Sequence, residues 1–273
     1  MNRTLLSELI FDKLNANKQY LTDRFAAASD AIGYFIIDDL LPSEIASEIY
    51  NSFPKPQEMT LKKSIREDKY VAAQMNSYNP LLEEIIFAFQ DQKIVKLIGE
   101  ICNIKEAIPD EYLYAGGISM MGIRQHLNPH LDNSHDKDRN RWRVLNILYY
   151  VTPDWKEEYG GNLELWPGGL KNDPITIHSK FNRLVVMATH NRSLHSVSKV
   201  NFDSFRCCIS NYYFSRTPLV DSDKFHVTSF RGRPGNKIED VILQIDMILR
   251  MTLRRFFKNG IKENPHVYKK AEK

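Results

Sequence analysis

The stretch from about residue 110 to 217 most constrains what this 273-residue chain folds into. Short β-rich runs alternate there with turn residues. They include Tyr112-Leu113-Tyr114 before Gly116-Gly117, and Val144 to Val151 before Pro153-Asp154. Leu163-Glu164-Leu165-Trp166 before Pro167-Gly168-Gly169, Arg183 to Met187, and Cys207 to Phe214 complete the set. Strands at this spacing point to a sandwich or barrel. The flanks read differently. Up to about residue 108 the pattern is mainly helical. One early β-rich run, Gly33 to Asp38, precedes a helical spacing that Pro42 opens and Phe53-Pro54-Lys55-Pro56 ends. Residues 57–78 are polar and weakly patterned, and read as a long surface loop, either a lid or a plain connection. Leu81 to Cys102 returns to helical spacing. Three regions follow: 1–108, a β-core over 109–217, and 218–273.

In the last region, Asn236 caps a helix and Glu239 completes a capping box. Val241, Ile242, Ile245, Ile248, Leu249, Leu253 and Phe256 fall on one face of it, expected to pack against the barrel, and Gly260 is placed to end it. The whole chain carries 37 basic and 34 acidic residues, too small an excess to mark a nucleic-acid binder. The surplus is local. From residue 236 onward nine residues are basic and five acidic, so this tail is a candidate docking or dimer surface. Hydrophobic residues make up 42%, enough for a core without disulfide or metal staples. Three cysteines, Cys207 and Cys208 adjacent, suit a reducing compartment. The polar N-terminus and the absence of a long apolar run point to a cytoplasmic protein with no transmembrane segment.

The sharpest chemical signal is Pro129-His130-Leu131-Asp132-Asn133. On a strand, His130 and Asp132 project from the same face. Alone, H-x-D is equally turn chemistry. The surrounding order raises it. His195 follows in the β-rich region, and two histidines with one carboxylate form the facial triad of non-haem Fe(II) oxygenases. His126, His135, His178, His190, His226 and His266 are competing ligands. On the next run, Arg206, Cys208, Ser210 and Tyr212 share a face. An arginine inside a β-sandwich needs an anion, whereas one at a strand edge faces solvent. A dicarboxylate chelating iron at one end needs such a cation at the other.

Taken together, these residues resemble the Fe(II)/2-oxoglutarate-dependent dioxygenases of the prolyl-hydroxylase-like branch. The resemblance covers about residues 110–216. It runs through His130-Leu-Asp-Asn, Leu148-Tyr149-Tyr150, Asp154-Trp155, Gly160 to Pro167, Lys180 to Leu184, His195 and Arg206. It implies an α+β protein with a double-stranded β-helix (jelly-roll) core, N-terminal helices packed on it and a C-terminal helical extension. His130, Asp132 and His195 would bind Fe(II). Arg206 would take the distal carboxylate of 2-oxoglutarate, with a hydroxyl from Tyr150, or else Tyr149. Asn146 and Leu148 would share the inward face. Ascorbate is the reductant the resemblance implies. Two positions depart from the pattern: Cys208 stands where a serine is usual, and Met120 or Met121 where a tyrosine is usual. The charged insert Ser134 to Trp142 is longer than in the animal prolyl hydroxylases.

The implied activity is hydroxylation of an unactivated C–H bond, coupled to conversion of 2-oxoglutarate and O2 to succinate and CO2. A prolyl or other residue in a protein or peptide is the favoured substrate. A sugar, nucleotide-linked sugar or amino acid is the alternative, and a non-catalytic cupin-like metal-binding module a second one. Tyr212, Cys208 and the 57–78 segment are the expected substrate contacts.

Overall fold

The computed structural model describes residues 1–257 and 266–269. The chain opens with helices α1 (Arg3–Ala16) and α2 (Lys18–Ala28), then strand β1 (Tyr34–Asp38) and helix α3 (Ser43–Asn51). A hairpin of β2 (Thr60–Lys63) and β3 (Glu67–Ala72) precedes α4 (Pro80–Ala88) and α5 (Gln92–Ile101). The core adds β4 (Ile108–Pro109), β5 (Gly117–Met121), β6 (His126–Leu131), β7 (Trp142–Tyr150), β8 (Leu163–Leu165) and β9 (Ile175–Ile177). β10 (Arg183–Ala188), β11 (His195–Val197), β12 (Arg206–Ser215), β13 (Ser229–Phe230) and α6 (Lys237–Phe256) follow.

The strands form one curled sheet in the order β1-β10-β7-β12-β5-β3-β6-β11-β8-β9, and every pairing is antiparallel. This is the jelly-roll architecture with its helices. Alternation along the central strands makes two interiors. Leu145, Ile147 and Tyr149 of β7, with Cys207, Ile209 and Tyr213 of β12, pack with Leu6, Ile10, Phe89 and Ile98 of the helical layer. Their neighbours Asn146, Leu148, Tyr150, Cys208, Ser210 and Tyr212 line a cavity on the other face. β8 and β11 close that face from the opposite side.

Most expected runs are strands, and three expectations are corrected. Tyr112-Leu113-Tyr114 forms a turn, with Leu113 at φ 45. Residues 57–78 are no surface loop. β3 lies inside the sheet, pairing β5 through Tyr70–Ala72 and β6 through Glu67 and Asp68. Its charged residues disguise it because its polar side chains face a polar cavity. The third concerns α6. Asn236 caps it as expected, its side chain accepting from the Glu239 N–H at 3.3 Å. The apolar stripe, however, is turned outward: Leu243 alone is buried, while Ile245 and Leu249 stay 53% and 60% exposed. The polar face meets the body instead. Asp246 accepts from Arg66 Nε at 3.0 Å, and Asp240 from Arg231 Nε at 2.7 Å. The stop expected at Gly260 lies outside the described residues.

Near the C-terminus, Tyr268 is buried against Phe87 and its N–H donates to the Tyr112 carbonyl at 2.7 Å. At the other end of the sheet, Asn182 sits buried at φ 58 before β10. Its Nδ2 donates to the Leu41 carbonyl at 2.6 Å, and its Oδ1 accepts from Leu41 N–H at 3.1 Å and Tyr149 hydroxyl at 2.8 Å. Asn182→Ala would orphan three buried polar groups. Urea titration should then show a loss of about 2–4 kcal/mol, with an unchanged m-value.

Candidate active site

His130 on β6 and His195 on β11 are direct cross-strand partners, with ring centroids 4.2 Å apart. Antiparallel pairing alone thus brings together two residues far apart in sequence. Asp132 lies just past the end of β6, two residues after His130. Its Oδ1 is 3.6 Å from His130 Nε2, and its Oδ2 3.7 Å from His195 Nε2. All three are buried, and their ligand atoms lie within 4.8 Å of one another. No other such His/Cys/Asp/Glu group of three exists among the described residues.

The rings are held in a ligating tautomer. His130 Nδ1 meets the Asn128 carbonyl at 2.9 Å, and His195 Nδ1 meets the Ser193 carbonyl at 2.9 Å. Each Nδ1–H donates there, which leaves the Nε2 lone pair facing Asp132. Burial, aided by the nearby His130, pushes the His195 pKa down to about 4, so its ring is neutral at physiological pH. Burial alone would raise the Asp132 pKa. Its contacts with the two histidines and the Arg143 guanidinium outweigh it and hold the carboxyl ionised. Asp132 Oδ2 is buried with no hydrogen-bond partner. Two imidazoles with Nε2 turned inward and an unsatisfied carboxylate oxygen fit a divalent metal of the Fe(II) type.

Arg206 opens β12 in the same cavity, 3% exposed. Its Nη2 lies 3.1 Å from Met121 Sδ, a poor acceptor, and its Nε has no partner. Among the described residues no carboxylate pairs with it. A buried guanidinium without an anion is costly, so the site fits an anionic ligand. Tyr150 lies 5.4 Å from that guanidinium, ring centroid to Cζ. Burial drives its pKa upward and keeps the phenol protonated, a donor beside the arginine. The fallback Tyr149 points the other way, to Asn182. Asn146, Leu148, Cys208 and Tyr212 all line the cavity, of ≈ 180 Å³. Of the six competing histidines, none joins the cluster. Five bond to carbonyls or a neighbouring N–H, and His226 lies against Asp223.

Several lining residues escape a sequence reading. Arg143 is 1% exposed, 3.9 Å from Asp132 Oδ1, and stacked at 3.8 Å on the Tyr212 ring. By strict alternation it would face the helices. The register against β12 slips between Tyr213 and Phe214, leaving an extra residue in β7, and this bulge turns Arg143 inward. Lys62, Glu67 and Lys69 come from the unexpected hairpin, and His266 from beyond α6. His266 Nε2 meets the Gly116 carbonyl at 2.7 Å.

Comparison with known proteins agrees with this geometry. Residues 116–214 match the family model described as the 2OG-Fe(II) oxygenase superfamily. That stretch is similar to a 2OG-Fe(II) oxygenase core. The fold is shared with a Pseudomonas putida prolyl-4-hydroxylase at 13% identity and TM-score 0.55, over 72% of this chain and 100% of that one. A prolyl 4-hydroxylase from Phytophthora capsici matches at 17% identity and TM-score 0.54, over 93% and 80%. A Trichoplax adhaerens prolyl hydroxylase, bound to a hypoxia-inducible-factor peptide fragment, matches at 18% and TM-score 0.51, over 74% and 92%. The matched family and the His-Asp-His cluster support Fe(II) as the metal and 2-oxoglutarate as the cosubstrate. No described helix is long and apolar enough to cross a membrane.

Two outcomes are expected. Burial pushes His190, His195 and His266 down to about 4 and His135 to about 3. Their unfolded value is about 6.5, so the unfolded chain binds more protons below that pH. Thermal melts of metal-free protein should show a Tm that holds above pH about 6.5 and falls as pH drops toward 4. Separately, Asp132→Ala should abolish Fe(II) binding, and Arg206→Met should weaken 2-oxoglutarate at least about 100-fold in calorimetry, each without unfolding the protein.

Proposed function

We propose that the chain is an Fe(II)- and 2-oxoglutarate-dependent dioxygenase that hydroxylates an unactivated C–H bond. One observation carries the reading: the His130–Asp132–His195 cluster and the unpaired Arg206 guanidinium share one buried cavity. A metal-binding module without oxygenase chemistry would leave Arg206 buried for no ligand. Fe(II) held by the three side chains, with 2-oxoglutarate and O2, supplies the oxidising chemistry when bound. The remaining roles belong to the protein. Arg206 would take the distal carboxylate of 2-oxoglutarate, and the protonated Tyr150 hydroxyl would donate beside it. Asn146 and Leu148 wall the cosubstrate. Arg143 braces Asp132 and keeps it ionised. Cys208, whose thiol burial pushes up to about 11, and Tyr212 border the substrate space as neutral groups. The enclosed walls exclude water while the substrate C–H is oriented.

A prolyl residue in a peptide is the substrate suggested by the three named neighbours. The charge in this cavity favours a second reading. Iron, Asp132, 2-oxoglutarate and Arg206 cancel one another. Lys62, Lys69 and Arg143 against Glu67 then leave two positive charges. Glu67 already engages Lys69 at 3.0 Å, whereas Lys62 has no ion pair among the described residues. Burial and the lysines lower the His266 pKa to about 4, so its ring adds no charge. A small molecule bearing a carboxylate or phosphate, such as an acidic or nucleotide-linked sugar, offsets that surplus better than a neutral prolyl segment.

The test is succinate formation from 2-oxoglutarate with Fe(II) and ascorbate, run against prolyl peptides and acidic and neutral small-molecule pools. Turnover above the substrate-free background should appear with at least one pool. With an acidic substrate, Lys62→Met should raise KM at least about tenfold and leave 2-oxoglutarate affinity unchanged. Background turnover with every pool, in protein that binds iron, would sink the hydroxylase reading.

A further inference from the structure

The outward face of α6 has no role in the cavity. Ile238, Ile242, Ile245, Leu249 and Phe256 follow a four-three spacing along it, with Thr252 filling the missing position. Their exposures run from 48% at Ile242 to 79% at Phe256. Val241, Ile248 and Leu253 widen the stripe and are 56%, 58% and 43% exposed. Together these side chains expose about 900 Å² of continuous surface, above the ~300–600 Å² of the largest apolar patch on an ordinary monomer. The helix is also fixed in this orientation. Asp246 is shared between Arg66 and Arg250, Asp240 is held by Arg231, and Glu239 accepts from Asn128 Nδ2 at 2.6 Å.

We propose that this face is covered by α6 of a second copy of the chain, in a two-fold symmetric dimer. Three observations choose that occupant. The four-three spacing holds from Ile238 to Phe256, the repeat by which one helix seats side chains between those of another. The exposed stripe, about 900 Å² per copy, is large enough to supply the roughly 800 Å² that each partner contributes to a stable interface. A two-fold contact asks only that the stripe meet itself, and a stripe apolar at every position of the spacing but Thr252 is self-complementary. The charge around the stripe is mixed rather than uniformly basic. A helix lying on an anionic membrane presents cations around its apolar face. Here Lys237 and Arg255 border one edge, but the acidic Glu239 and Asp246 border the other, and Arg250 is tied to Asp246. No residue of the stripe lines the cavity, so dimerisation leaves the His130, Asp132 and His195 cluster untouched.

Sedimentation equilibrium of the full-length protein at about 10 µM should give twice the 31.8 kDa chain mass. Ile245→Glu with Leu249→Glu should give a monomer with unchanged circular dichroism and 2-oxoglutarate affinity. Ile238→Glu, one heptad away, should weaken the dimer at least tenfold and serves as the second variant. A wild-type monomer at that concentration overturns the proposal. So does a dimer that survives both variants, or a monomer that floats with vesicles of phosphatidylserine and phosphatidylcholine.

Discussion

Two imidazoles and a carboxylate are buried side by side, and the rest of the molecule is arranged around that cost. Removing an ionised carboxylate from water is expensive unless cations and donors surround it. Asp132 meets His130, His195 and Arg143 within 4 Å, yet one of its oxygens still lacks a hydrogen bond. A divalent metal bound there would satisfy that oxygen. Sheet pairing provides the geometry, since β6 and β11 place the two rings opposite each other. Backbone carbonyls of Asn128 and Ser193 then fix which nitrogen is free.

The two-sided use of β7 and β12 follows from the same constraint. One face of each strand is apolar and carries the helical layer, which anchors the sheet. The other face is released from packing duty and populated with Arg206, Tyr150 and Asn146. A rigid sheet therefore holds polar groups that a loop would let relax toward solvent. Asn182 ties these layers at one corner by joining Tyr149 to the segment after β1.

Residues governed by simple alternation were legible in the sequence. His130 with Asp132, and Arg206 with Cys208 and Tyr212, lie two residues apart on a strand, and the structure faces them together. Tyr150 was separable from Tyr149 by the same parity. What escaped was set by departures from that rule. Arg143 faces the cavity because a bulge breaks the alternation of β7. The β2–β3 hairpin carries no apolar alternation, because its inward side chains meet a charged cavity rather than a core. α6 displays a strong apolar stripe, and periodicity alone does not tell which side the body occupies. Ion pairs from Arg66 and Arg231 decide it. His266 reaches the cavity through a contact with no local signal.

That last contact orders events in time. A chain made from its N-terminus completes β6, β7, β11 and β12 before His266 exists. The nascent core thus pairs its metal-ligand strands while one wall of the cavity is still open. Closure by His266 on Gly116 and by Tyr268 on Tyr112 comes afterwards, over a finished sheet. The vessel is built first and its rim is added last.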